Sequence, residues 1–287
     1  MTSGARGGVF RVLAVGVVAL SATACTPQDQ RAHDPSWGAD YAFPSRVDKS
    51  ESRLVAVLDG GILSHPSLAG RTHASWSAPS LEGQPRSSHA TEVAGLIVGS
   101  SSQETTPVER DVKVLDVRVL DRSGHGTPQD VASGIDWAVE HGADVISMSF
   151  RLTNDDPLVR LAVERAAASH VTLLASAAND LVSGPAWPAA YPGVTGVTSF
   201  DSSLNPSPRA RAEHEVVAAP GDRVLTTTAG GALTEASGTS MATALAAAVV
   251  TTCLPEGVGK TEVIALAKKS GVTVTYGERE LPVLRCP

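Results

Sequence analysis

No Lys/Arg cluster occurs in this sequence, and its formal net charge is −7. A nucleic-acid surface needs a basic face to meet phosphates, so no nucleic-acid partner is expected. Long apolar runs are scarce as well. The run VLAVGVVALSA at 12–22 falls short of the about 20 residues that a membrane span requires, and no later segment comes closer. Cysteine is rare: the count of 3 is odd, which asks for an explanation in an exported protein. His65, His73, His141, His170 and His214 have no metal-ligand spacing to one another, and no Asp-rich loop of the calcium-binding kind stands out. No metal site is therefore assigned and no cofactor is expected. Internal repeats and low-complexity tracts are absent too.

What is present begins with Arg6 and Arg11, then the apolar run, then the small residues Ala22, Thr23 and Ala24. That order is the pattern of an export signal over 1–24. Cys25, at the next position, resembles the lipid-attachment cysteine of bacterial lipoproteins, although Ala22 stands where Leu is usual. Lipid anchoring at the outer face of a bacterial membrane is the preferred expectation, with simple secretion as the alternative. Lipidation of Cys25 also accounts for the odd cysteine. Cys253 and Cys286 can then form a disulfide in an oxidising compartment, two free thiols being the other reading. Residues 25–51 are polar, hold three prolines and lack periodicity, so they read as a flexible tether. The remainder, 52–287, suits one domain with a sizeable core.

Within that domain the apolar pattern alternates. LVAVLD, VKVLDVRVLD, DVISMSF and VTLLASA are strand-like. Between them Val93, Leu96 and Ile97, then Val131, Ile135, Ala138 and Val139, then Leu158, Leu161, Ala162 and Ala166 recur at helical spacing. Strands alternating with helices imply an α/β fold with a mostly parallel central sheet and helices on both faces. In such sheets ligands bind off the carboxyl ends of the strands.

Four polar residues fall at those ends: Asp59 after a strand, His89 before a helix, Asn179 at the end of VTLLASAA, and Ser240 at the start of ASGTSMATALAAAVV. Ser and Thr before an apolar run are ordinary helix caps. From 236 to 255, however, the sequence has no Lys, Arg, Asp or Glu, so the helix is expected to be buried and its cap lies inside the protein. A hydroxyl there sits beside aligned N–H donors and the positive end of the helix dipole, where an anionic oxygen is favoured.

The order Asp, His, Ser is one of the chain orders of the acyl-transfer triad. The motifs VAVLDGGI, HATEVAG and SGTSMATA resemble VAVIDTGI, HGTHVAG and SGTSMATP of the subtilisin-like serine proteases. VRVLDRSGHGT, DVISMS, LLASAAND and PAAYPGV resemble further motifs of that family, in the right order from about 53 to 252. The resemblance implies a subtilisin-like three-layer fold and a serine endopeptidase. Ser240 would be its nucleophile, His89 the general base, Asp59 the residue orienting the imidazole, and Asn179 an oxyanion donor. It also implies a peptide or protein substrate lying near 122–126 and 147–150, with Ser123, Gly124, Ser147, Ser149 and Ala177 as binding residues. A monomer is expected. Relatives often bind calcium, which is not carried over.

The family pattern is altered in several places. Gly60 replaces a hydroxyl residue after the acid, Ala90 and Glu92 replace Gly and the second His of HGTH, Ala178 replaces Gly before the oxyanion Asn, and Ala244 replaces Pro. Phe150 and Arg151 replace Leu and Gly. Glu92, if close to His89, raises its pKa. Ala178 requires a backbone suited to glycine or narrows the specificity pocket. Two rival readings are a binding module on the same scaffold that has lost turnover and a maturation protease with one narrow substrate.

Overall fold

The computed structural model describes residues 34, 36–45, 52–99, 111–179, 184–208, 210–212 and 216–287. The expected signal over 1–24 and the candidate lipid site Cys25 lie outside them. The helix α1 (Trp37–Ala42) is followed by β1 (Arg53–Asp59), β2 (Thr72–Ser77), α2 (His89–Val98), β3 (Val112–Arg118), α3 (Pro128–Glu140), β4 (Val145–Met148), α4 (Pro157–Ala168) and β5 (Thr172–Ser176). The chain continues through β6 (Val194–Phe200), β7 (Val216–Pro220), β8 (Val224–Thr227), β9 (Leu233–Ala236), α5 (Thr239–Cys253), α6 (Lys260–Lys269), β10 (Thr273–Tyr276) and β11 (Arg279–Pro282).

Seven strands form the central sheet in the order β2-β3-β1-β4-β5-β6-β7, and each neighbouring pair runs parallel. The strands are apolar because both faces are covered. On β1, Val55 and Val57 enter the core beneath α2 and α5, while Ala56 and Leu58 enter the core beneath α3 and α4. The same parity turns Asp59 toward the α2 face. α5 lies across β4, β5, β6 and β7. Its residues from Thr239 to Thr252 are all buried, and its alanines let it come close to the sheet.

Helix starts follow local chemistry. Thr127 caps α3 by accepting from Asp130 N–H at 3.1 Å, with Pro128 in the first turn. Asp156 caps α4 by accepting from Leu158 N–H at 2.9 Å, with Pro157 next. These are the positions at which a side-chain acceptor satisfies an orphan N–H and a proline loses nothing.

The tether expected over 25–51 requires correction within its described part. Residues 36–43 pack on the domain: Trp37 is 8% exposed, Ala42 0% and Phe43 2%. Trp37 Nε1 donates to Asp222 O at 3.1 Å, and the Trp37 and Tyr41 rings lie 5.9 and 5.4 Å from that of Phe200. The C-terminal tail closes over the same arm. Cys286 N–H donates to Ala42 O at 2.9 Å, the Arg285 guanidinium stands 4.7 Å from the Tyr41 ring centre, and Cys286 is disulfide-bonded to Cys253 at the end of α5. A six-residue helix is too short to carry a periodic signal, and here three aromatic rings supply the burial that periodicity could not announce.

Trp37→Ala should therefore destabilise the whole domain by about 3–5 kcal/mol, read as a lower denaturant midpoint with the disulfide intact. An unchanged midpoint would mean that the arm is not part of the fold.

Candidate active site

Asp59 is the last residue of β1, one strand from the centre of the sheet, and His89 is the first residue of α2. α2 packs against α5, and Asp59 ends β1 at the carboxyl edge of the sheet. Across that edge His89 Nδ1 lies 2.7 Å from Asp59 Oδ2. The other carboxylate oxygen accepts Gly60 N–H at 2.6 Å. The Asp59 side chain is only 3% exposed and that of His89 38%. Nδ1 is thereby committed to the carboxylate, and Nε2 is the ring nitrogen left for a proton donor.

Burial of the imidazole works to lower its pKa. The Asp59 charge, the Asp59 hydrogen bond and the Glu92 charge together outweigh that effect and hold it above 6.5. Glu92 stands one turn along α2 and acts in the direction its position in the sequence suggested.

Ser240 is the second residue of α5 and 9% exposed. Its hydroxyl is not a cap: the N-cap is Gly238, with no side-chain cap bond. In this state Oγ donates to Ser149 O at 3.5 Å, the outer limit of a hydrogen bond, and Ser149 Oγ donates back to Ser240 O at 3.4 Å.

Asn179 follows β5 and reaches over the start of α5, where its Oδ1 accepts Thr239 N–H at 2.8 Å. That bond uses the amide oxygen and leaves the Nδ2 donors for another acceptor. Met241 and Ala242 N–H donate to Gly238 O, so among the described residues the Ser240 N–H is the first-turn donor with no such partner. Gly238 is required here, because its φ is +134° and an added Cβ would stand 3.1 Å from Asn179 Nδ2. Ala178, where glycine was expected, has φ +77° and is 5% exposed. An alanine in the left-handed region costs about 1–2 kcal/mol.

The substrate-binding residues expected from the sequence divide. Ser123 and Gly124 lie in an exposed loop held by Asp121, whose Oδ1 accepts Ser123 N–H at 2.8 Å and His125 N–H at 3.0 Å. These backbone bonds, that from His125 foremost, hold the Asp121 pKa below its usual range. Ser149 adjoins Ser240, as described, and Ala177 is 5% exposed beside it in sequence to the strained Ala178. Ser147 is 1% exposed and paired with Val57 inside the sheet. Among the described residues no group of three or more His, Cys, Asp or Glu side chains converges as metal ligands.

Sequence reasoning missed Asp116, Arg118 and Arg86. Asp116 is 3% exposed on β3 and faces the α2 side. It accepts Ile62 N–H at 2.9 Å and the Arg86 guanidinium at 2.7 Å. Burial raises its pKa, against these two bonds and the Arg86 charge, and Asp59 adds to the rise. The signal was present in VKVLDVRVLD, where Asp116 and Arg118 share the parity of Val112 and Val114.

A family model described as Subtilase family, Peptidase S8, matches residues 50–256. The chain is 36% identical over 191 residues to a thermostable alkaline protease of Halalkalibacterium halodurans, covering 66% of this chain and 53% of that protein. It is 36% identical over 233 residues to subtilisin amylosacchariticus of Bacillus subtilis subsp. amylosacchariticus, covering 75% of this chain and 61% of that one. It thus spans between about half and three fifths of the length of these relatives. A solved cold adapted subtilisin-like serine proteinase superposes with a TM-score of 0.73 at 24% identity, over 88% of this chain and 98% of that one, a likeness of fold.

Followed by nuclear magnetic resonance, His89 should titrate above 6.5. Glu92→Gln should move the titration to lower pH, and Asp59→Asn further, since burial then acts almost unopposed. The reverse order of the two variants would contradict the electrostatics described.

Proposed function

Because this chain belongs to the subtilase family, we propose that it is a serine endopeptidase working through Asp59, His89 and Ser240. The observation that carries the reading is the 2.7 Å contact between a buried carboxylate at the end of β1 and a partly exposed imidazole at the start of α2. A serine hydroxyl is a weak nucleophile at neutral pH and needs a base as it attacks.

His89 Nε2 takes the Ser240 proton as Oγ bonds to the peptide carbonyl carbon. The carbonyl oxygen becomes an oxyanion and accepts hydrogen bonds from Asn179 Nδ2 and the Ser240 N–H. The intermediate then collapses: the C–N bond breaks, the proton on His89 passes to the leaving amine, and an ester remains on Ser240. Water repeats the sequence, with His89 as its base, and releases the acid. Asp59 stays ionised throughout, fixing the tautomer and stabilising the imidazolium.

The substrate would lie as an added strand between the loop at 122–126 and residues 147–150, with main-chain bonds giving affinity. The buried methyl of Ala178 favours a narrow primary pocket. Export directed by residues 1–24 and lipid attachment at Cys25 to a bacterial membrane belong to the same proposal, as does a monomeric enzyme. The Cys253–Cys286 disulfide supports an oxidising compartment. Among the described residues no helix is long and apolar enough to cross a membrane. No calcium site is assigned. The paired carboxylate and imidazole favour turnover over a binding module.

The purified chain should be labelled by a fluorophosphonate probe, and Ser240→Ala should not be. Asp59→Asn should lower kcat by about 10⁴, and Asn179→Ala by about 10² to 10³. A wild-type chain that fails to label would support the non-catalytic module instead.

A further inference from the structure

Asp59 and His89 sit on separate segments, and one buried carboxylate joins the two. Asp116 Oδ1 accepts the N–H of Ile62, three residues after Asp59, at 2.9 Å. Its Oδ2 accepts from Arg86, three residues before His89, at 2.7 Å. Arg86 Nη1 also donates to Ile62 O at 3.0 Å. Arg118, on the same face of β3, donates to Pro85 O at 2.8 Å and to Leu81 O at 3.1 Å.

Between these anchors the segments touch through bare backbone. A Cβ added at Gly60 would stand 2.6 Å from Ser87 Oγ and 3.4 Å from Asp121 O. At Gly61, whose φ is +88°, it would stand 2.9 Å from Arg86 Nη1 and 3.1 Å from Arg118 Cδ. The space beside Asp59 that a side chain at 60 would use is thus occupied by Ser87, two residues before His89. The Arg86–Asp116 pair, 2.7 Å apart with only Arg86 partly exposed, ties the segment before His89 to the segment after Asp59.

We propose that residues 85–88, stapled by Asp116 and lying directly on the backbone of Gly60 and Gly61, form the seat that sets His89 on Asp59. Arg86 is then a positioning residue, acting through His89, while the Ser87 side chain fills the space left by Gly60. The inference rests on the reading of His89 as the general base, but its test does not need turnover.

Gly60→Ser adds a side chain without changing charge. It should push Ser87 aside, lengthen the Asp59–His89 contact, and weaken or remove the downfield Nδ1 proton resonance of protonated His89. The imidazole, still faced by Glu92 on its own helix and by a more distant Asp59 on β1, should titrate at lower pH than in wild type. With a peptide substrate, kcat should fall roughly ten- to a hundredfold, since small misplacements of a reacting group have effects of that size, and KM should change little. Gly60→Ser/Ser87→Gly frees the contested volume and should restore both the resonance and kcat. If Gly60→Ser does not fold, Gly60→Ala, which adds the Cβ alone, should show the same changes at smaller amplitude. An unaltered resonance and titration in the single variant, or a double variant no better than the single, overturns the seat. A chain that shows these shifts yet resists the fluorophosphonate probe keeps the seat and loses the peptidase reading.

Discussion

The burial of α5 is the constraint on which the rest of this structure depends. A helix of 15 residues without a charged side chain is unstable at a surface and must be enclosed. The sheet supplies one wall, α2 and the N-terminal helix α1 pack on others, and the disulfide ties the C-terminal tail to the last residue of α5. Enclosure has a chemical consequence. The first turn of α5 has no side-chain cap, so its N–H groups must find partners elsewhere. Asn179 takes one of them, and the neighbouring Ser240 N–H is left beside the positive end of the helix dipole.

The electrostatics at the sheet edge follow from the same enclosure. Asp59 is almost wholly desolvated, and a buried charge persists only when it is paired and hydrogen-bonded. Gly60 N–H and His89 meet that requirement, leaving the imidazole more basic than usual. Asp116 brings a second buried carboxylate toward the first, which would oppose both charges were it alone. Arg86 bonds it directly, and Arg118 lies nearby with its own bonds to Pro85 and Leu81. Each of the two acids is tied to a backbone N–H that follows β1, Asp59 to Gly60 and Asp116 to Ile62.

Much of this was legible in the sequence, for identifiable reasons. Strands covered on both faces give short apolar runs, and amphipathic helices give a period of 3.6, so the alternation of the α/β layers could be read directly. The polar residues at strand and helix ends stood out against those runs. The arm at 36–43 did not, because its stability comes from contacts with Phe200, Asp222, Arg285 and Cys286, all distant along the chain. Ser147 stood out only by its place in the motif, which gives position along β4 but not the depth of burial. Asp116 was hidden for the opposite reason. Its neighbours are so apolar that the strand reads as core, and only strict alternation reveals a carboxylate and a guanidinium on one face.

Ala178 shows how local strain and site geometry are linked. Its positive φ is unfavourable for any residue with a Cβ, and such a conformation persists only where the surroundings determine it. On one side Ala177 N–H donates to Val197 O at 2.9 Å, continuing the β5–β6 pairing. On the other, Asn179 is clamped to Thr239 N–H. Between a strand that cannot shift and an amide bonded to a buried helix, the backbone at 178 has one way to turn. The conformation usual for glycine is thus imposed on alanine by the anchors that aim the Asn179 amide. The methyl that results is buried, next in the chain to Asn179. Strain at 178 and order at 179 have the same origin, the fixed distance between the end of β5 and the start of α5.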